Sequence, residues 1–172
     1  MGHPIYVLDS NVFIEAYRRY YAFDIAPKFW ESLIHFANIG IIESIDRVKL
    51  ELEKGKIKPD GTTDDLAAWA ENNFKNAFQN TSGADVIRAY SRIIAWVTNN
   101  SQFTNAAKLE FANESDGWLI AYALAKNRII VTHEVLKSDV KNKVPIPNVC
   151  LPFKIRYIDT FVMLREIGVH FS

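Results

Sequence analysis

Residues 5–11 (IYVLDSN) constrain the fold more than any other part of the chain. The first four residues are apolar and are typical of a strand buried on both faces, as in a parallel sheet. They lead directly into Asp9, Ser10 and Asn11, which places a carboxylate at the carboxyl end of a central strand. Ligands of open α/β sheets bind at this edge. The other polar residues that reach it are therefore the candidates for a functional site.

Composition limits the class of protein. The 172 residues, 49% of them apolar, are enough for one full hydrophobic core, and we predict a single domain over residues 1–172. The 20 Lys and Arg residues balance the 20 Asp and Glu residues, which excludes nucleic-acid binding through overall basic charge. The single cysteine, Cys150, excludes an internal disulfide and a cysteine-ligated zinc site.

No basic-then-apolar leader opens the chain, and no apolar run approaches the roughly 20 residues of a membrane span. We therefore expect a cytoplasmic protein with no membrane partner.

Strand and helix signals alternate along the chain. Helical apolar spacing predicts helices over residues 11–21, 27–40, 43–54, 63–80, 82–100, 104–112, 116–127 and 159–168. Short apolar runs predict strands over residues 5–8, 41–42, 129–132, 149–151 and 153–157. Such alternation predicts an α/β fold with a mostly parallel central sheet of about four to five strands and helices on both faces.

Several acids fall at strand ends or helix starts. Asp9 follows the first strand, Asp116 opens a very apolar helix, and Glu134 follows the strand that comes after that helix. Because the carboxyl ends of parallel strands share one edge, we expect these side chains to lie near one another.

Glu51 joins the set because of the helix face on which it lies. Ile45, Val48 and Leu52 define the inward face of its helix at about 100° per residue. Glu51 lies about 80° from the centre of that face, whereas Glu53 lies about 120° away. Glu51 is thus the acid of this helix best placed to reach the sheet edge.

Clustered carboxylates without histidine or cysteine are ligands suited to Mg²⁺ or Mn²⁺. Packed carboxylates repel one another and resist joint ionisation unless a cation neutralises them. Bound to a phosphodiester, such ions can activate water and stabilise the leaving oxygen. In this interpretation Asn11 positions the water or bonds a neighbouring carboxylate.

Structural roles account for each acid as well. Asp9 and its polar neighbours suit the cap of the following helix equally well, and the stretch Glu114–Asp116 suits a helix start by capping and dipole interactions alone. Glu51 suits a solvated helix position, and Glu134 suits an ordinary loop. Only the placement of all of them at one end of one sheet favours function over these alternatives.

Two basic groups are weaker candidates for contacts with a nucleic-acid backbone. One is the pair Arg18 and Arg19, and the other is the loop with Lys54, Lys56 and Lys58. A solvated surface explains both groups without any ligand.

The motifs together resemble the PIN-domain family. Residues 6–11 (YVLDSN) are similar to its opening strand and first acid, and residues 48–55 (VKLELEKG) to its Glu-Leu-x-x-Gly helix. Residues 116–123 (DGWLIAYA) are similar to its Asp-led helix, and residues 130–134 (IVTHE) to its Thr-x-Asp strand end. The blocks follow in the family's order over nearly the whole chain. Within the family, the sequence looks closest to an uncharacterised bacterial branch that is similar to the toxin ribonucleases of toxin–antitoxin pairs.

The resemblance implies a three-layer α/β/α fold and a Mg²⁺- or Mn²⁺-dependent endoribonuclease acting on RNA, as the toxin of a type II toxin–antitoxin pair. It also implies a homodimer and a cognate antitoxin. The site residues that it implies are the metal-binding acids Asp9, Glu51, Asp116 and Glu134, with Asn11 and Thr132 in support.

This chain departs from the family pattern at two positions. Glu134 stands where Asp is commoner, which lengthens that side chain by one methylene, and Glu114 is an extra acid two residues before Asp116 that can share or compete for its role. Two other functions stay open. One is a structure-specific DNA nuclease; the other is a catalytically silent fold that binds protein or RNA, which the zero net charge and Glu134 favour.

Overall fold

The central sheet has five parallel strands. The computed structural model describes residues 2–54, 59–61 and 64–170. The strand order across the sheet is β3-β2-β1-β4-β5. The strands are β1 Tyr6–Leu8, β2 Ile42–Ile45, β3 Phe78–Gln79, β4 Ile129–Val131 and β5 Tyr157–Ile158.

Strand β1 lies at the centre, as a strand with every residue buried should. Its Val7 is opposite Glu43 of β2 on one side and Ile130 of β4 on the other. Beyond these neighbours β3 pairs in parallel with β2, and β5 pairs in parallel with β4. The most buried strand therefore delivers Asp9 to the middle of the sheet edge.

Helices connect the strands. They are α1 Ser10–Glu15, α2 Pro27–Asn38, α3 Asp46–Glu53, α4 Asp65–Trp69, α5 Ala84–Asn99, α6 Asn105–Asn113, α7 Asp116–Lys126, α8 Ile146–Phe153 and α9 Thr160–Glu166. Helix α1 continues as a π-helical turn over Ala16–Tyr20, and α4 continues as a π-helical turn over Ala70–Phe74 and a 3₁₀ turn over Lys75–Ala77. Among the described residues, every helix is too short or too polar to span a bilayer.

The order of the strands reverses between the neighbouring strands β1 and β4. From β1 the chain steps outward to β2 and β3, then returns past β1 to β4 and β5. Helix contacts follow the same division: α3 packs against α1 and α4, whereas α7 packs against α5, α6 and α8. The carboxyl ends of β1 and β4 therefore flank the crevice in which open α/β sheets bind ligands.

Among the described residues, the buried apolar side chains form one cluster that extends from the sheet into both groups of helices. Aromatic rings fill a large part of the side near α1, where Phe13 lies against Trp69 and Phe74 at centroid separations of 6.1 and 5.4 Å. A rigid core of this kind holds the strand ends, and the side chains that follow them, in fixed positions.

The predicted α/β fold, with a mostly parallel central sheet of about four to five strands, is confirmed. Several local predictions are wrong. Residues 149–151 lie in α8, because Pro147 suits a first helical turn and a short apolar run does not distinguish strand from helix. Residues 43–45 belong to β2, and residues 78–79 form an edge strand within a predicted helix. The predicted helix start at Thr63 lies outside the described residues.

Candidate functional site

Asp9 lies at the bottom of the crevice between β1 and β4. Its side chain is 0% exposed, and Thr132 Oγ1, at the end of β4, donates a hydrogen bond of 3.0 Å to Asp9 Oδ2. The backbone N–H of Glu134 donates to that same Thr132 hydroxyl at 3.1 Å. Thr132 therefore joins the two strand ends and orients the Asp9 carboxylate.

Burial, with the charges of Glu134 and Glu51, raises the pKa of Asp9 from 3.8 to about 7, against the lowering by the Thr132 hydrogen bond. Burial also raises the pKa of Asp116, at the start of α7, well above its usual range, with Asp9 as the largest charge acting on it. The two aspartates therefore share one electrostatic environment, in which joint ionisation is unfavourable.

Glu51, on α3, contacts the beginning of α7. Its Oε1 accepts a hydrogen bond of 3.0 Å from the backbone N–H of Ser115, the residue just before Asp116. An acidic acceptor at a helix N-terminus is favoured by the unpaired N–H groups and the helix dipole. Glu51 therefore fixes the position of Asp116 from a separate helix.

Ser115 also carries an orphaned hydroxyl. The residue is 4% exposed, and its Oγ has no hydrogen-bond partner among the described residues. A buried hydroxyl without a partner costs free energy unless a water or ligand supplies one. This atom lies one residue from Asp116, at the start of the same helix.

Both carboxylate oxygens of Glu134 are already engaged. Lys143 Nζ pairs with Glu134 Oε1, and the backbone N–H of Ile146, at the start of α8, donates to Glu134 Oε2 at 2.7 Å. Glu134 thus ties the end of β4 to α8 and to the loop between them. This arrangement directs its oxygens to protein donors.

Lys143 brings a positive charge into this acidic surrounding. Burial lowers its pKa, but the hydrogen bond to Glu134 and the charges of Glu134, Asp116 and Glu114 outweigh burial, so its pKa lies above the usual value. Its side chain is 52% exposed. Lys143 is therefore a fully charged ammonium that solvent and ligands can reach.

Glu114 lies at the rim of the site. It is an exposed residue, and partial burial raises the pKa of its carboxyl, followed by the charges of Glu110 and Glu51. Its charge acts on Asp116. Glu114 therefore belongs to the same acidic region but lies nearer to solvent.

A cavity of about 440 Å³ opens between the start of α1 and the loop after β4. The residues that line it are Asn11, Glu15, Tyr20, His133, Glu134 and Lys143. Asn11 and Glu134, two of the residues predicted from the sequence, thus face a space large enough for a small ligand.

The predicted basic contacts lie in different places. Arg18 and Arg19 are exposed on the π-helical turn, and Arg19 Nε pairs with Glu15 Oε2 at 3.1 Å. Lys54 is exposed at the end of α3, and Lys56 and Lys58 lie outside the described residues. Contact of these basic residues with a nucleic-acid backbone therefore stays a prediction.

Within residues 2–54, 59–61 and 64–170, no group of three or more His, Cys, Asp or Glu side chains is arranged to hold a metal ion. The hydrogen bonds explain this: Glu51 and Glu134 accept from backbone N–H groups at helix starts. The carboxylates therefore share an electrostatic field without forming a ready cage.

A family model for a domain of unknown function, DUF4411, matches residues 6–171. The chain belongs to the DUF4411 family. No curated protein matches the chain. This DUF4411 chain is also similar to a chain in the crystal structure of VapBC2 from Rickettsia felis bound to a DNA fragment from their promoter. The identity is 14%, the TM-score is 0.53, and the match covers 90% of this chain and 98% of the other.

The DUF4411 chain thus has the PIN-like fold that its motifs predicted. Sequence reasoning did not include Lys143, Ser115 or Tyr20 in the site. A lysine in a loop and a serine before a helix are common on surfaces, so no local signal separates them from solvated residues. Only the fold brings them to the acids.

Proposed function

We propose that this chain is a divalent-metal-dependent endoribonuclease that hydrolyses phosphodiester bonds of single-stranded RNA. The observation that carries the proposal is the nearness of buried Asp9 to Asp116 at the crevice between β1 and β4, where the charge of Asp9 raises the pKa of Asp116 and the charges of Glu134 and Glu51 raise the pKa of both. Stored repulsion between two carboxylates is expected where a cation is to bind. The PIN-like fold supports the same assignment.

The donor set fits Mg²⁺ or Mn²⁺ in kind. Mg²⁺ is commonly held by one or two carboxylates, with water and substrate phosphate completing its shell, so a three-acid cage is unnecessary. Asp9 and Asp116 would hold the ion, and the orphaned Ser115 hydroxyl offers a hydrogen-bond partner for a water beside it. When bound, the ion supplies an activated water and neutralises charge on the phosphodiester.

The remaining residues position this pair. Thr132 orients the Asp9 carboxylate, and Glu51 holds the start of α7 so that Asp116 faces the crevice. Glu134 holds α8 and Lys143 in place. Asn11 lies at the cavity wall, where its amide can orient the attacking water. Glu51 and Glu134 as direct metal ligands remain a prediction from the sequence.

The proposal extends to biology. The similar structure is of VapBC2, and this supports a cognate antitoxin for a chain acting as a type II toxin in the cytoplasm. We also propose that the chain forms a homodimer. We propose a single domain over residues 1–172, which the one hydrophobic cluster of the described residues supports.

The test is cleavage of single-stranded RNA with Mn²⁺ or Mg²⁺ by the wild type, Asp9→Asn and Asp116→Asn. Each substitution should lower the rate at least about 100-fold, because it removes charge at the reacting centre. Asp24→Asn, at an exposed loop residue, is the matched control and should cleave normally. Full activity of both site variants contradicts the proposal, and preference for flap DNA over RNA identifies the DNA nuclease instead.

A catalytically silent module that binds protein or RNA is the second candidate. The absence of a three-acid group among the described residues, with both oxygens of Glu134 bound to protein donors, favours it. Calorimetric titration with Mn²⁺ separates the two candidates. Heat of binding that Asp9→Asn abolishes supports the nuclease, and no binding at millimolar Mn²⁺ supports the silent module.

A further inference from the structure

The cavity between the start of α1 and the loop after β4 combines a cation with an aromatic ring. Lys143 enters it from the loop between β4 and α8, and Tyr20 enters it from the end of the π-helical turn that extends α1. Asn11 and Glu134 line the same cavity and connect it with the acidic site. Any ligand in this cavity therefore lies next to the carboxylate of Glu134, whose charge acts on Asp9.

Lys143 is the cationic side chain that lines this cavity among the described residues. An anionic phosphate that approaches Asp9 and Asp116 meets repulsion, which a neighbouring ammonium reduces. The ammonium already pairs with Glu134 and is 52% exposed, so a phosphate can contact it without unfolding the loop. Lysine is a common point-charge contact for phosphate.

Tyr20 gives the cavity an apolar wall. Its side chain is 55% exposed, although aromatic residues of this size are usually covered. Exposed aromatic rings in single-strand binding proteins stack with unpaired bases, and every base offers a face for this contact. In a duplex that face is covered by neighbouring bases.

We propose that the cavity is a nucleotide subsite in which Lys143 contacts a phosphate next to the cleaved bond and Tyr20 stacks on an unpaired base. The proposal rests on the proposed nuclease function and adds two residues to it. The volume of about 440 Å³ lies within the range of small-ligand pockets. The subsite explains a preference for single strands through contacts that a paired base cannot make.

The test measures binding of a short fluorescein-labelled single-stranded RNA by anisotropy, with Ca²⁺ in place of Mg²⁺ and over a range of salt concentrations. Lys143→Gln should weaken binding. It should also make the negative slope of log binding constant against log salt concentration shallower by about 0.7, because one phosphate contact is lost. Lys143→Arg should restore the slope. A merely structural role for Lys143 leaves the slope unchanged.

The aromatic wall is tested in the same assay. Tyr20→Leu should weaken single-strand binding about 5-fold or more and reduce the preference over duplex RNA, whereas Tyr20→Trp should retain both. Matched controls are Lys141→Gln, an exposed lysine of the same loop, and Phe161→Leu, an exposed aromatic residue of α9 that does not line this cavity. Both controls should bind as the wild type does.

The outcomes separate the two proposals. If the wild type cleaves RNA while Lys143→Gln and Tyr20→Leu bind normally, the subsite is wrong and the nuclease stands. If the wild type binds RNA through both residues without cleaving it, the subsite stands and the nuclease proposal is wrong. Melting curves of each variant confirm that a loss of binding is not a loss of fold.

Discussion

At the scale of single residues, the molecule keeps an aspartate where charge is costly. Asp9 is fully buried, and Thr132 is the hydroxyl that donates directly to its Oδ2. Such a position destabilises the metal-free protein when the carboxylate is ionised. Residues of this kind are typical of functional sites, where stability is lost to keep a reactive charge in place.

The pH dependence of stability follows from this carboxylate. Its pKa is about 7 in the folded chain and 3.8 in the unfolded chain. Between these values the folded state holds a proton that the unfolded state releases, so the group's stabilising contribution is complete below pH 3.8 and is lost as pH rises through about 7. At one pKa unit per about 1.36 kcal/mol, the loss is at most about 4 kcal/mol.

Asp9→Asn should remove this loss. We expect its Tm to exceed that of the wild type at pH 8, by about 2–4 °C for each kcal/mol gained, and the difference to shrink toward pH 4. Thermal melting of metal-free protein across this pH range is the measurement, with Asp24→Asn as control. If the Tm of the wild type and of Asp9→Asn changes in parallel with pH, the raised pKa of Asp9 is wrong.

At the scale of elements, two glutamates each accept a hydrogen bond from the start of a different helix. Glu51 of α3 accepts from Ser115 before α7, and Glu134 after β4 accepts from Ile146 of α8. Each contact satisfies a helix N–H and lies near the positive end of a helix dipole. The site therefore depends on where α7 and α8 begin.

Substitution of Glu134 separates a positioning role from metal binding. Glu134→Ala should lower the free energy of unfolding by about 1.5–3 kcal/mol, the range for hydrogen bonds to charged groups, because it removes the acceptor for Ile146 and the partner of Lys143. Glu134→Gln keeps an amide oxygen and should lose less.

Urea denaturation gives these free energies, and calorimetry with Mn²⁺ gives the second readout. A positioning residue leaves the Mn²⁺ affinity of Glu134→Gln within a few-fold of the wild type. If Glu134→Gln loses Mn²⁺ as completely as Asp9→Asn does, Glu134 is a metal ligand, as the sequence motif implied.

At the scale of the whole molecule, the strand order decides where the site lies. Strand β1 is central, and the chain reverses direction between β1 and β4, which opens a crevice at their carboxyl ends. Ligand binding at such a crevice links distant parts of the chain, since Asp9, Asp116 and Thr132 come from separate segments. Binding there should therefore stabilise the complete fold.

Mn²⁺ should raise the Tm of the wild-type protein. At a concentration about 100 times Kd, binding to the folded state alone contributes about 2.7 kcal/mol, which corresponds to a Tm increase of about 5–10 °C for a chain of this size. Asp9→Asn with Asp116→Asn should abolish the increase, and Asp24→Asn should retain it. An equal Tm increase in the double variant places the ion elsewhere.

The sequence by itself determined the buried strand, the position of Asp9 at its end, and the alternation that requires a parallel sheet. It failed where signals were short: residues 149–151 are helical, and residues 78–79 form a strand too brief for any periodic pattern. Apolar spacing indicates helix or strand only over several residues, and these stretches are too short to show a period.

Only the tertiary structure decided which atoms of the acids are free. The sequence placed Glu134 near Asp9, but Lys143 and the start of α8 take both of its oxygens. It also left Lys143 and Tyr20 among surface residues, although they line one cavity with Asn11. The physical reason is that helical and strand periodicity fix which face of an element is buried. Hydrogen-bond partners depend on how distant elements pack, and no local pattern encodes that packing.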